Sequence, residues 1–315
     1  MIVKCLQKKR IENGLVMERL YQFLGVSRQS ITKRIMYQNL EDQMMEDIGV
    51  QVKAYRCAKE IRAGSRNLYH NLDIKKHYDI GTTKFEQLMA AHGLTLRPLK
   101  VHIVTTQSSM QSWNYRNLVN GIELNNTSQV VVGDLTYVRL GSKVYYLFGL
   151  TDLYSARLVG IGVSDRMRTE DACVALEEWI DLSKESGLKK CIHHTDGGGQ
   201  YFSKLYLKKL ANHKIAVSVA LDCLQNGYAE QRNGLIKHHL MPTKGASNLS
   251  EFKKRMEEII YFYNNERKQE GLGWRTPVEY ETYVNTLPKE RRPTMRLFDF
   301  EKSEKGFQRH VSTKS

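Results

Sequence analysis

Val130-Val131-Val132-Gly133-Asp134-Leu135-Thr136-Tyr137 decides how this chain is read, because three β-branched residues and a glycine run straight into a carboxylate. The run has the composition of a buried strand, and an acid inside one is costly unless a cation or a hydrogen-bond partner compensates it. Two later acids supply a reason for Asp134. Asp196 closes a second β-rich run, Leu188-Lys189-Lys190-Cys191-Ile192-His193-His194-Thr195, and is followed at once by Gly197, Gly198 and Gly199. Glu230 lies in a helix-like stretch after Gln225-Asn226-Gly227. There are 61 residues between the two aspartates and 33 between Asp196 and Glu230.

Acids so far apart meet only through tertiary folding. Mg²⁺ prefers oxygen ligands and keeps positions open for water and substrate phosphate. Two such ions roughly 3.5–4 Å apart stabilise both the attacking and the leaving oxygen of an in-line phosphoryl displacement. Asp134, Asp196 and Glu230 are therefore candidate metal ligands for phosphodiester cutting or joining. Taken singly, each has a plainer reading: a strand-edge aspartate, an Asp-Gly turn and a solvated helix glutamate.

A length of 315 residues exceeds one ordinary core, so two or three domains are expected. The net charge of +14 points to a polyanionic partner. Residues 1–128 hold 19 Lys/Arg against 11 Asp/Glu, 129–240 hold 14 against 12, and 241–315 hold 15 against 11. The basic excess thus flanks a nearly balanced middle, as expected if flanks grip nucleic acid while the centre does chemistry. The five cysteines form no C-x-x-C pair, which argues against zinc or a disulfide framework and for a reduced, cytoplasmic setting. No signal peptide is visible, and no apolar run approaches the ~20 residues of a membrane span.

In chain order, residues 11–40 read as helix, turn, helix. Leu15, Arg19 and Leu20 open the first helix, Leu20, Phe23 and Leu24 give its apolar face, and Gly25 makes the turn. Val26 is expected buried, Ser27 caps the second helix, and Ile31 and Ile35 pack it back. Arg28, Gln29, Lys33 and Arg34 then face outward, the residue types that meet phosphates and base edges in a helix-turn-helix; a plain helical hairpin with a basic face is the alternative. A second helical unit follows: residues 53–62, a helix from Ser65, and another from Thr82 that buries Ile80, Phe85, Leu88 and Met89 and stops at His92-Gly93. Residues 98–128, rich in Thr, Ser and Asn, read as a linker.

Residues 129–140, a Gly141-Ser142 turn and 143–153 read as a hairpin, with 157–164 as a third strand. Thr169 is expected to cap a helix to about residue 186, with Ala172, Val174, Ala175, Leu176, Trp179 and Ile180 on its apolar side. Strand 189–195, helix 204–212, strand 215–220 and the helix of Glu230 complete a mixed five-stranded sheet with helices. Three antiparallel strands followed by α-β-α-β-α is the order of an RNase H-like fold. The expected division is two helix-turn-helix-type units at 1–50 and 51–97, a linker at 98–128, an α/β RNase H-like catalytic core at 129–245, and a C-terminal helix and basic tail at 246–315.

Gly133-Asp134-Leu135-Thr136-Tyr137, His194-Thr195-Asp196-Gly197-Gly198-Gly199-Gln200-Tyr201, and Asn226-Gly227-Tyr228-Ala229-Glu230 with Lys237 resemble the catalytic motifs of DDE transposases with a retroviral-integrase-like core. The ending Tyr261-Phe262-Tyr263-Asn264-Asn265-Glu266-Arg267, with Leu272-Gly273-Trp274-Arg275-Thr276-Pro277, is similar to that of the OrfB transposases of bacterial insertion sequences. The resemblance covers roughly residues 13–282. It implies that the three acids hold Mg²⁺ or Mn²⁺, two ions per site, and that the enzyme cuts element ends and joins their 3′-hydroxyls to new DNA. It further implies double-stranded DNA as partner, both terminal repeats and target, and a homo-oligomer on that DNA. The chain departs from the family's pattern at Val131, Gln225 and Gln269, none of them a candidate ligand.

Asp152 is a fourth core acid, but position 134 of the hairpin pairs near Gly149, so Asp152 sits about three residues along and orders the strand end rather than binding metal. His193 and His194 alternate across their strand; by resemblance His194 faces the site, beside the metal ligands or in contact with DNA. Lys237, seven residues after Glu230, shares its helical face and could meet a phosphate. Lys84 and Asn226 join the expected DNA contacts. Gly197–Gly199 lack the Lys-Ser/Thr of a nucleotide-binding loop, so no nucleotide cofactor is expected. The expected function is a metal-dependent transposase of a bacterial insertion sequence, acting in the cytoplasm at the nucleoid; the alternative is a DNA-binding regulator or decayed element product that does not cut.

Overall fold

The computed structural model describes residues 21–23, 25–97, 115–140, 142–184, 188, 190–220, 226–240, 246 and 248–299. Leu15, Arg19, Leu20, Leu24, Gly141, Gln225, most of the expected linker and residues 300–315 of the basic tail lie outside the described residues. The chain divides into two units, one drawn from residues 1–55 and 64–96 and the other from 56–63 and 97–315.

In the first unit Gly25 makes the expected turn, with φ of +62°, where an L side chain would be strained. Ser27 caps the next helix by accepting the Ser30 N–H at 3.1 Å. Helix α1 (Arg28–Ala58) is 31 residues long, so the boundary expected at residue 50 falls inside it and 53–62 is not a separate helix. Its interior has no proline and one glycine, Gly49, packed so that an added Cβ would meet Leu94 at 3.9 Å; Ile31, Met45, Ile48 and Val52 carry the buried stripe on past the expected end. Val26 and Phe23, expected to pack, are exposed. Helices α2 (Ser65–Asn71), α3 (Ile74–Tyr78) and α4 (Thr82–Ala91) follow, the last stopped by His92 and Gly93 as expected. The five-residue α3 escaped the sequence pattern because it is too short to show a period; left-handed Asp73 and Asp79 bound it. Tyr69 ties α2 to α4, its ring 5.7 Å from Phe85 and its hydroxyl donating to the Ile80 carbonyl at 2.9 Å.

The second unit is built on strands β2 (Val130–Leu140), β3 (Lys143–Asp152), β4 (Leu158–Ser164), β5 (Ile192–Thr195) and β6 (Ala216–Val219), with a two-residue β1 (Glu123–Leu124) outside the main sheet. The sheet order is β4-β3-β2-β5-β6, antiparallel among the first three and parallel across β2-β5 and β5-β6. This is the mixed five-stranded sheet of an RNase H-like core. Asp134 pairs with Gly149 and Val131 with Asp152, the register expected from a turn at 141–142. Helix α5 (Thr169–Leu182) starts one residue earlier than expected, with Arg168 rather than Thr169 at the cap, and buries Cys173 while Val174 faces solvent. It lies so close to β4 that a Cβ on Gly160 would sit 2.0 Å from the Ala175 carbonyl oxygen, and one on Gly162 would sit 2.1 Å from that of Asp171. With α6 (Lys204–Asn212), α5 covers one sheet face, where Val131, Phe148, Trp179, Tyr206 and Val219 pack. Burying each such side chain contributes roughly 1.5–3 kcal/mol.

Helix α7 (Gly227–Leu235), continued by a π-helical turn Ile236–Leu240, covers the other face. Residues 115–128, expected to be linker, and 248–299, expected to be a C-terminal helix and the start of a basic tail, pack as parts of this unit because their apolar residues demand it: Val119, Leu124, Val284 and Leu297 are buried with Val130 and Val132. Strand β1 pairs antiparallel with β7 (Met295–Arg296). Helix α8 (Leu249–Asn265) delivers Asn264, whose amide accepts from Leu158 N–H at 3.0 Å and donates to its carbonyl at 2.9 Å, and Tyr263, which donates to the Ala156 carbonyl at 2.8 Å. Helix α9 (Pro277–Thr286) begins with a capping box between Thr276 and Glu279. Arg267 grips Glu60 with two bonds of 2.9 and 3.1 Å, both side chains buried. The tail motif is therefore largely a set of structural clamps.

Candidate active site

Asp134 and Asp196 stand on adjacent strands at the point where the sheet opens. Parallel pairing of β2 and β5 ends at Gly133 and Thr195, so each aspartate is the first residue past the last paired rung. Val132, His194 and Ser218 lie side by side on one face, and alternation puts Asp134 and Asp196 on that same face, the one α7 covers. Gly133 is required by crowding, since a Cβ there would come within 2.8 Å of His193 Cε1. Gly197 adopts φ of +84° and Gly198 N–H donates to Asp196 Oδ1 at 3.1 Å, so the glycine run turns the chain back on the aspartate and holds its carboxylate.

Burial, then the negative charge of Asp196 and that of Glu230, push Asp134 up to about 7, against a bond from Asn233 that lowers it. Asp196 is raised chiefly by burial; Glu230, exposed in the first turn of α7, is raised by burial and by Asp196. The three acids thus share one electrostatic environment with too little positive charge. Among the described residues no three His, Cys, Asp or Glu side chains are already gathered closely enough to hold one ion. The donor set nonetheless fits a hard dication: carboxylate oxygens only, mutually repelling, one of them held half-protonated near neutral pH.

Asn233 was not singled out from sequence. It follows Glu230 by three residues, hence shares its helical face, and its Nδ2 donates to Asp134 Oδ2 at 2.7 Å. Lys237 lies in the π-helical turn; burial lowers its pKa while the charge of Asp134 raises it, and its ammonium is 4.8 Å from the centroid of the Tyr137 ring. His194 lies on the face shared by Asp134 and Asp196 and is buried, its Nδ1 2.8 Å from Ser218 Oγ. Asn226 is likewise buried, and its side-chain amide has no hydrogen bond among the described residues. His193 faces the opposite core: its Nδ1–H donates to the Val131 carbonyl at 3.1 Å, its Nε2 accepts from Tyr206 at 2.9 Å, and burial lowers it to about 4, so it stays neutral. Asp152 accepts the N–H groups of Ser128 and Ser155 at 2.6 and 2.9 Å and so orders the strand end as read from the sequence. In the first unit Arg28, Gln29, Lys33 and Arg34 are exposed at the start of α1, and Lys84 is paired with Glu41 at 2.5 Å.

At the three positions that depart from the family's pattern, Val131 is fully buried in the core, Gln225 lies outside the described residues, and buried Gln269 accepts from Arg232 of α7 at 3.4 Å.

Residues 125–220 and 213–277 match two families, each described as Integrase core domain. Over 222 residues the chain is 29% identical to the transposase for insertion sequence element IS629 of Shigella sonnei, covering 69% of this chain and 73% of that protein. Over 156 residues it is 33% identical to the putative transposase for IS986/IS6110 of Mycobacterium tuberculosis, covering 48% of this chain and 56% of that one. Among solved structures, a simian T-cell lymphotropic virus intasome aligns with 77% of each chain at 14% identity and a TM-score of 0.42. The integrase-core matches thus run through the strands of the sheet and on into the helix of Glu230, and the similar proteins named here are transposases of insertion sequences.

Proposed function

We propose that Asp134, Asp196 and Glu230 are the catalytic acids of this transposase and that they act on the ends of its own element. The observation that carries the reading is the coupling of Asp134 to both other acids at the open end of the sheet. Two divalent ions, Mg²⁺ or Mn²⁺, when bound by the three carboxylates, supply the positive charge that offsets the attacking and leaving oxygens of a phosphoryl displacement. Asn233 holds the Asp134 carboxylate in one orientation. Lys237 presents an ammonium to a phosphate beside the acids. In the first step water attacks phosphorus at the element end and the 3′ oxygen leaves as a hydroxyl; in the second that hydroxyl attacks a target phosphorus and displaces another 3′ oxygen.

Arg28, Gln29, Lys33 and Arg34 supply a cationic, hydrogen-bonding start to α1 for the terminal repeat. A working oligomer on DNA follows from having one acid triad per chain and two ends per element; subunits of charge +14 repel one another until a polyanion joins them. No described helix is long and apolar enough to cross a membrane, and the substrate places the protein with the DNA of the cell, at the nucleoid. The deciding experiment is strand cleavage on element-end duplex with Mg²⁺, Mn²⁺ or chelator. Cleavage that needs the metal and is lost in Asp134→Asn is expected; end binding without cleavage under every metal condition would leave a regulator instead.

A further inference from the structure

Beyond Gly133, β2 has no partner on the β5 side among the described residues, because the parallel pairing stops there, while its pairing with β3 continues to Leu140. The strand therefore runs on for seven residues paired along one edge. Along it Tyr137 is 58% exposed, and Arg139, two residues further on the same face, is exposed as well. Leu135, two residues earlier on that face, packs against the core, and the neighbour of Tyr137 across the ladder is half-buried Tyr146. Core packing therefore accounts for Leu135 and leaves most of the Tyr137 ring to solvent.

By strand alternation Asp134 and Tyr137 point to opposite faces, yet Lys237 lies near both: it feels the charge of Asp134, and its ammonium stands 4.8 Å from the Tyr137 ring centroid. The edge of β2 away from β3 is where one side chain can approach both faces. Three residues of strand carry the chain about 10 Å from Asp134 to Tyr137, the scale of a neighbouring nucleotide rather than of the reacting phosphate itself. A solvent-facing ring, a cation against it and a second cation two residues away form the chemistry of a base-stacking platform with phosphate contacts.

We propose that Tyr137 stacks on the nucleobase of a nucleotide flanking the scissile phosphate, with Lys237 on the adjoining phosphate, so that the pair sets the end of the DNA over the acids. The inference rests on the proposed function and assigns Tyr137 a direct substrate contact. A stacked base leaves its neighbours in the duplex, so the contact favours a frayed or unpaired end over an intact one.

The test places 2-aminopurine at the nucleotides flanking the scissile phosphate of an element end frayed by mismatches, where the unstacked probe is bright before binding, and reads its fluorescence on binding, with Ca²⁺ in place of Mg²⁺. Binding of the same duplex is followed separately by anisotropy. The wild type, Tyr137→Phe and Tyr137→Trp are expected to quench the probe, while Tyr137→Ala and Tyr137→Leu are not, Leu keeping apolar bulk without a π face. With Mg²⁺, the last two should cleave an intact end roughly 10- to 100-fold more slowly, and a pre-frayed end should restore part of the loss. Equal quenching by wild type and Tyr137→Leu, in a wild type that binds and cleaves, would overturn the role of Tyr137 alone. A wild type that binds the end and never cleaves it would overturn the proposed function instead.

Discussion

Asn233 on α7 donates a 2.7 Å hydrogen bond to Asp134 on β2, so the helix that carries Glu230 is fastened directly to the first acid of the site. The bond fixes which way the carboxylate points, and it opposes the burial and the like charges that raise Asp134 to about 7. Asn233→Leu removes both effects. Cleavage should fall roughly 10- to 100-fold, and the acidic limb of its pH profile should move upward. An unchanged profile would show that Asn233 only packs.

Asp134→Asn, Asp196→Asn and Glu230→Gln each keep size while weakening oxygen coordination. Each should lower cleavage and strand transfer by at least roughly 100-fold and leave end binding within a few-fold. Gel-based cleavage beside anisotropy on one DNA separates the two effects, and near wild-type cleavage by any variant would remove that acid from the site.

The raised pKa of Asp134 has a stability signature. The folded carboxyl ionises near 7 and the unfolded one near its ordinary value of 3.8, so in between the folded state binds more protons. Stability should be greatest below the unfolded value and be lost as pH rises toward about 7. In metal-free protein at pH 8, Asp134→Asn should therefore be more stable than wild type, by on the order of 2 kcal/mol, and added Mg²⁺ should narrow the gap. Thermal unfolding across pH 5 to 8 measures it.

Glu60 and Arg267 form a buried, doubly hydrogen-bonded ion pair. Truncating one partner strands the other charge, so Glu60→Ala should cost about 3–5 kcal/mol. Replacing both by Met should recover much of that in urea unfolding, since no uncompensated charge remains.

At the start of α1, substituting Arg28 or Gln29 should relax preference for the element end over random duplex. Loss of Lys33 or Arg34 should instead weaken all sequences and reduce the salt slope by about 1 each. Binding curves unchanged in all four would rule this face out as the DNA contact.

The strand of Asp134, its pairing with Gly149, the glycine turn after Asp196 and the helix of Glu230 are legible in the chain itself, because period, turn residues and caps are local properties. So are the outward basic residues of α1, though not that helix's length, since no proline between residues 40 and 58 marks a stop. Which residues surround the acids emerged with the folded arrangement alone. Asn233 reaches Asp134 across 99 positions, and His194, chosen over His193 for the site face by resemblance, is buried against Ser218. The same arrangement drew residues 115–128 and 248–299 into the core, where Asn264 clamps Leu158 and the Leu297 N–H donates to the Ile122 carbonyl. Periodicity reports which face of an element is apolar; which distant element covers that face depends on packing, and no local pattern encodes it.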